Sequence, residues 1–400
     1  MSNTLLTIDF ITNEALRHLE NQLTFTKHVN RDFQSKFAVP GAKNGTSIRI
    51  RKPAKLLGRS GATLSVEDLT ETNTTLTLAQ EGADLSFTSV EKTFSLDEYS
   101  DRVIKPAMIT IANKVDVAGL ALYKDVYNTV GTPGTTPNAA LTYLQAGAKL
   151  DNEAAPKDDM RAAILNPLGQ AYLVDAVKGL FQSSDKIANQ YNSGNMGVGL
   201  GFKFSMDQNV ATHTVGPLGG TPLVNGADQT GASLITDGWT AAAAARLKQG
   251  DVFTIAGVYA VNPVSGNSTG ELRQFVVTAD VSSDGSGNLT AAISPSIVTS
   301  GAFKTVTASP ADNAAITVLG SASTVSPQML VFHKDAFTMA CVELDKVAAP
   351  ECRVVKDEKL GLSIRMIRTY DYTNDKEILR CDIMYGWKAI RPEFACRVAA

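Results

Sequence analysis

The stretch from about residue 222 to 325 constrains this chain most. Thr, Val, Ser, Ala and Gly dominate it, and turn signals recur at Asn262-Pro263, Asp284-Gly285 and Asn288. That is the strand-and-turn spacing of a small barrel or sandwich. Within it, "GDVFTIAGVYAVNP" (250–263) alternates apolar residues and reads as strand, turn, strand. It carries one charge, Asp251, and no group that looks catalytic. Such a block in the middle of 400 residues is either one domain in a series or a domain set into a loop of another, and the flanks decide which.

The flanks read as mixed α and β, so the class expected for the whole chain is α+β. "TSIRIRKP" places Ile48 and Ile50 on one side and Arg49 and Arg51 on the other, as in a half-buried strand. "TNTTLTLAQEGADLSFTSVEKTF" predicts two strands about a turn near Glu81 and Gly82, a hairpin with too few large apolar residues for its own core. A long helix is expected from about 96 to 130. Its capping box is Ser95 and Glu98, its face includes Val103, Ile104, Met108, Ile111, Val115, Leu122 and Val126, and Pro106 marks a start or a kink. Leu16, Leu19 and Leu23 predict a helix within 4–30. Leu141–Leu150 reads as helix, "RAAILNP" as a buried strand, and Pro167 opens a helix to about Phe181. After 325, "MLVFH" reads as strand and "KDAFTMACVEL" as helix. "LSIRMIRTYDYTNDKEILRCDIMYGW" reads as a long hairpin turning at Thr373–Lys376. The β-rich block thus interrupts a mixed domain.

Few residues point to chemistry. "GVGLGF" has its third glycine one place early for a dinucleotide fingerprint and no helix after it, so a loop is expected. "DVSSDGSGN" resembles a calcium loop through Asp280, Ser282 and Asp284. Ala291 stands where the bidentate Glu is needed, so an Asp-Gly turn is the better reading. His18, His28, His213 and His333 are scattered, and the four cysteines (Cys341, Cys352, Cys381, Cys396) form no Cys-x-x-Cys pair. Reduced thiols, no cofactor, no metal and no catalysis are expected. The first residues lack a basic region before an apolar run, so a signal peptide is not expected, and no run approaches the ~18 apolar residues of a membrane span. A net charge of −3 does not favour non-specific nucleic-acid binding.

Charge order is more informative. From Lys27 to Arg59 the chain is basic, with Asp32 its only acid; from Glu67 to Asp101 it is acidic, with Lys92 the only base. Two solvated faces would explain this, and so would complementary contact between copies. On the second reading Arg49, Arg51, Lys52 and Arg59 meet Glu67, Asp68, Glu71, Glu81 and Asp84 of a neighbour. Such contacts are weak singly and add up around a closed shell.

A basic arm, an acidic hairpin, a long helix, a split α+β domain and a closing hairpin together resemble the major capsid proteins of tailed bacteriophages with the Hong Kong 97 fold. More narrowly, they resemble the phage P-22-type coat proteins, which carry an inserted β-barrel. "LKQGDVFTIAGVYAVNP" and "TGELRQFVVTADVSSDGSGNLTAAISP" are similar to the family's insertion domain. "LVFHKDAFTMA" is similar to the return to the main domain, and "MYGWKAIRPE" to the C-terminal stretch. The resemblance implies an N-terminal arm (1–45), a strand and extended loop hairpin (46–94), a spine helix (95–137), the first part of an A-domain (138–221), the inserted module (222–325) and a return through the A- and P-domains (326–400). It implies a virion shell of hexamers and pentamers around double-stranded DNA, assembled in the host cytoplasm. A separate scaffolding protein and a portal protein would be partners, with room for a decoration protein and no role for a membrane. Arg17, Lys27 and Arg31 are candidates for contact with scaffold or packaged DNA. An encapsulin-like shell, and a hydrolase or carbohydrate-binding protein with an appended β-sandwich, are the alternatives.

Overall fold

The computed structural model describes residues 15, 23–33, 46–56, 62, 66, 71–88, 104–177, 196–347, 351–356 and 362–400. Arg17, Arg59, Glu67, Asp68, the Ser95–Glu98 box and the Leu16–Leu19 face lie outside these residues. Helices and antiparallel and mixed sheets share the chain, which is α+β. It forms two compact units: Met1–Arg51, Asn73–Gly119 and Phe337–Lys388 in one, and Lys52–Thr72, Leu120–Ala336 and Ala389–Ala400 in the other.

In the first unit, strand Ser47–Arg51 pairs antiparallel with Asn73–Thr77 and alternates as its sequence requires. Ile48 and Ile50 are buried, and Arg49 and Arg51 point outward. The expected turn at Glu81 and Gly82 is not there. Ala79–Thr88 is one continuous strand, aligned over its whole length with Lys376–Ala389. Gly82 serves that pairing rather than a turn: a Cβ on it would lie 2.4 Å from the Cys381 carbonyl oxygen, so only glycine lets the two backbones approach this closely. Lys376–Ala389 also pairs with Ser363–Asp371 across a turn at 372–375, as the sequence predicts.

"KDAFTMACVEL" is not the expected helix. Lys334–Ala336 makes one 3-10 turn and Phe337–Val342 is a strand. Residues 337–341 are all buried, so the segment never presents the polar face of a surface helix. Helix α1, Lys105–Leu120, is shorter at its end than expected. Pro106 is its second residue. Met108, Ile111, Ala112 and Val115 are its buried stripe. After Leu120 the chain tightens into 3-10 turns over Ala121–Asp125, and "TVG" becomes strand Thr129–Gly131. Asp116 of α1 accepts hydrogen bonds from the Thr24 N–H (2.8 Å) and the Thr26 hydroxyl (2.7 Å), which pins the short turn Phe25–His28.

The second unit holds a mixed sheet whose central strand, Val325–His333, lies between Ala395–Ala399 and Arg161–Leu165. Helix α2 (Ala140–Asn152) buries Tyr143, Ala146 and Leu150, and α3 (Pro167–Val177) follows Arg161–Leu165. "GVGLGF" is not a loose loop. Val198–Gly199 and Phe202–Met206 pair as a tight hairpin, with Leu200 at φ 51° and Gly201 at φ 82°. Two consecutive residues in the left-handed region make the two-residue turn whose twist matches the strands.

The same unit contains a six-stranded antiparallel sheet in the order Ile316–Val318, Val252–Val261, Ser268–Val277, Leu289–Ile297, Gly231–Trp239, Gly220–Val224. Its core, with Leu234, Trp239, Phe253, Phe275 and Ile293 among its members, is drawn entirely from residues 224–316. At roughly 1.5–3 kcal/mol for each large side chain fully buried, that is a substantial local driving force. Val252–Val261 is a single strand, not strand, turn, strand; its register with Ser268–Val277 shifts between Thr254 and Tyr259, so Ala256 and Gly257 form a bulge.

Candidate functional site

The candidate contact residues spread over both units. Arg49 and Arg51 stand on the exposed side of their strand, opposite Thr75 and Asn73, and Lys27 is exposed at the end of its 3-10 turn. Glu71 is exposed in the second unit, where Lys52 donates its backbone N–H to the Thr72 carbonyl. Two of the acids are engaged within the first unit. Asp84 lies directly across from Arg380, and Glu81 hydrogen-bonds the Tyr385 side chain. Burial first, and the Glu81 charge second, push the Tyr385 hydroxyl well above its ordinary pKa. Arg31 donates to the Thr26 carbonyl at 3.3 Å and lies 3.7 Å from the Met339 sulfur, so its guanidinium is held against its own chain.

The structure assembles a site that the sequence did not announce. Asp251, the one charge in "GDVFTIAGVYAVNP", is 1% exposed at the start of the strand Val252–Val261. Its carboxylate accepts the His213 Nε2–H at 2.8 Å, the Lys248 N–H at 2.8 Å and the Gly216 N–H at 3.1 Å. A carboxylate can only accept, so His213 carries a proton on Nε2, and its Nδ1 faces the Tyr123 hydroxyl at 3.2 Å. Burial raises the pKa of that hydroxyl. Arg397, 1% exposed, donates from Nη1 to the Gly250 carbonyl at 2.8 Å, with its guanidinium 5.7 Å from the Tyr123 ring centre. Burial pushes Arg397 down to about 10.

This cluster ties the first residues of the module's strand to residues 123, 213, 216 and 397, which all lie outside 222–325. Chemically it is a clasp. His213 has a carboxylate on one side and a buried phenol on the other, and His333 has Asp158 at 3.0 Å and the Asp335 N–H. Neither histidine faces a serine. Asp284 spends its carboxylate on the N–H groups of Ser286 and Asn288, as an Asp-Gly turn does. Among the described residues no group of His, Cys, Asp and Glu could hold a metal ion, and no helix is long and apolar enough to cross a membrane.

The family described as "P22 coat protein - gene protein 5" matches residues 2–397, and the chain belongs to that family. It is a bacteriophage coat protein, a virion component whose copies build an icosahedral capsid shell, and its role is structural. The Hong Kong 97-like fold implied by the sequence goes with that membership. No curated protein matches the sequence. Solved structures to which the chain is similar include "Mycobacterium phage Che8" (11% identity, 94% of this chain and 90% of that one, TM-score 0.46). "Capsid of Ralstonia phage GP4" is similar at 8% identity, over 89% and 83%, with TM-score 0.45. "Asymmetric unit of bacteriophage PhiM1 mature capsid" is similar at 10% identity, over 89% and 82%, with TM-score 0.44.

Proposed function

We propose that this chain forms the head shell of a tailed phage as hexamers and pentamers around double-stranded DNA, assembled in the host cytoplasm with a separate scaffolding protein and a portal protein. The observation that carries this reading is the family match across nearly the whole chain. The finer parts rest on the sequence resemblance and on charge. Residues 222–325 act as the inserted domain, facing the exterior and supporting subunit folding. Their self-contained core suits a unit that folds early and locally. Arg49, Arg51, Lys52 and Arg59 of one copy serve contacts with Glu67, Asp68, Glu71, Glu81 and Asp84 of the next. Arg17, Lys27 and Arg31 serve weak contacts with scaffold or DNA. Weakness is required, because a shell that gripped DNA everywhere would impede packaging and release.

The test is negative-stain electron microscopy with sedimentation, on the chain expressed alone and with the phage's scaffolding gene. Closed shells with scaffold, and aberrant shells or tubes without it, are expected. A small oligomer under both conditions at every protein concentration would overturn the proposal. Normal shells from the chain alone would remove the scaffold from it.

A further inference from the structure

A cavity of about 560 Å³ opens in the second unit. One part of its lining is a buried pair: Arg273 donates from Nη1 to Glu153 at 2.5 Å, with its guanidinium 4.5 Å from the Tyr127 ring centre. Arg273 is 3% exposed, and its Nε is buried with no hydrogen-bond partner. Lys52, Lys55, Lys304 and Arg391 also line the cavity, against the single further acid Glu393, so the lining holds a surplus of positive charge. The rest is mostly apolar and aromatic, with Thr72, Ser294 and Thr305 as the polar members. Lys55 lies 5.9 Å from the Phe303 ring centre and Arg391 lies 5.1 Å from that of Phe394. Two lining side chains are left open to solvent, Leu56 at 63% and Val264 at 82% exposure. This is a site for an aromatic group that brings negative charge with it. The volume is in the range of pockets that enclose a ligand, and the cation-and-ring walls suit an added aromatic face.

One segment of the chain has that chemistry. The turn between strands Ser363–Asp371 and Lys376–Ala389 carries Tyr370, Asp371, Tyr372 and Asp375. Tyr372 is 87% exposed, the most exposed large apolar side chain among the described residues. The turn is preformed: Asp371 accepts the Thr373 N–H at 2.9 Å and the Asn374 amide at 2.7 Å, and the Tyr370 hydroxyl donates to Asp375 at 2.6 Å. Those hydrogen bonds, the Asn374 amide foremost, hold Asp371 below the usual carboxylate range, so the tip is anionic. A rigid tip with a central tyrosine loses little freedom on docking and supplies the residue type that most often anchors an interface.

We propose that in assembled particles the 371–375 tip of one copy docks in this cavity of a second copy. Tyr372 enters against Phe303 and Phe394, and Asp371 and Asp375 meet the lysines and Arg391. The occupant is a second copy because coat-protein copies are already neighbours in the shell and because the tip and the cavity are opposite in charge; the inference rests on the shell-forming reading above. The test uses particles assembled from equal amounts of ¹⁴N- and ¹⁵N-labelled chains, treated with a carbodiimide that joins a lysine amine directly to a carboxylate. Mixed-isotope peptides linking Lys52, Lys55 or Lys304 to Asp371 or Asp375 are expected, with at least a tenfold loss in particles of Tyr372→Ser. Particles whose cross-links join other pairs only, or join these residues within single-isotope peptides, overturn the docking and leave the coat function intact. No particles under any condition overturns the shell reading and the docking with it.

Discussion

Replacing Asp251 measures how firmly the clasp holds the β module to the rest of its unit. The Asp251 side chain is wholly buried and accepts three donors: His213 Nε2–H, Lys248 N–H and Gly216 N–H. Asp251→Ala removes every acceptor and strands the two buried donors, His213 Nε2–H and Gly216 N–H, away from water, while the Lys248 N–H is only part-buried. A single orphaned buried donor costs roughly 1–3 kcal/mol, and breaking a buried side-chain pair by deleting one partner costs about 3–5 kcal/mol. Some relaxation is expected, so the loss should be about 4 kcal/mol. Asp251→Asn keeps one acceptor oxygen but turns an NH2 toward donors, and its loss should be about half as large. With a urea slope of about 2 kcal/mol/M, the midpoint falls by about 2 M for Ala and about 1 M for Asn. The assay is equilibrium urea unfolding followed by tryptophan fluorescence. The chain has two tryptophans; Trp239 is buried in the module core and Trp387 lies in the first unit, so Trp387→Phe isolates the module's signal. A midpoint in Asp251→Ala within about 0.3 M of the parent would show that the carboxylate carries no such load. Equal losses for Ala and Asn would show that the acceptor count is not what matters.

Three further outcomes are expected. Gly82→Ala puts a Cβ 2.4 Å from the Cys381 carbonyl oxygen and forces two paired strands apart; a loss of about 2–3 kcal/mol in the Trp387-reported transition is expected, and no change would contradict the packing. Arg397→Met should leave urea stability unchanged or raise it, because the buried Nε and Nη2 have no hydrogen-bond partner and only Nη1 does; a fall of more than about 2 kcal/mol would assign the guanidinium a larger role. Burial raises Cys341 to about 11 and Cys381 and Cys396 to about 12. An unfolded thiol ionises at lower pH than these folded ones, so the stability they contribute is present below about pH 9 and is lost as pH rises through 11–12. At pH 8 a thiol reagent should modify the half-buried Cys352 quickly and the other three only on unfolding; three or more fast thiols would refute this.

Strands with one buried face were legible because their period is written in the residues. Ser47–Arg51 alternates buried and exposed at each step, and the hairpin over 363–389 turns where its polar cluster falls. The misreadings share a cause. At Glu81-Gly82 and Ala256-Gly257, glycine has a local reading as a turn, while the fold uses it inside a strand, for close approach in one case and beside a bulge in the other. "KDAFTMACVEL" carries no period because both faces of its strand are covered, and a fully buried segment cannot announce whether it is helix or sheet.

The clasp was illegible for a different reason. Tyr123, His213, Asp251 and Arg397 come from four distant parts of the chain, and no spacing rule links them. The only local sign was a lone aspartate opening an otherwise uncharged ten-residue strand. A solvated aspartate there would be unremarkable; an aspartate buried there must find donors, and those it finds are His213 and Gly216, just before residue 222, and Lys248 three residues upstream of it. The clasp is not the only tie between this β-rich segment and the rest of its unit: Val252 and Val276 pack with Tyr127, and Arg273 pairs with Glu153. Apolar packing is non-directional, whereas a buried carboxylate with three donors accepts one geometry. The charge that looked functionless in the sequence is therefore one of the groups that give the β-rich segment a directional hold within its unit, beside Arg273 on Glu153 and Gln274 on Thr129.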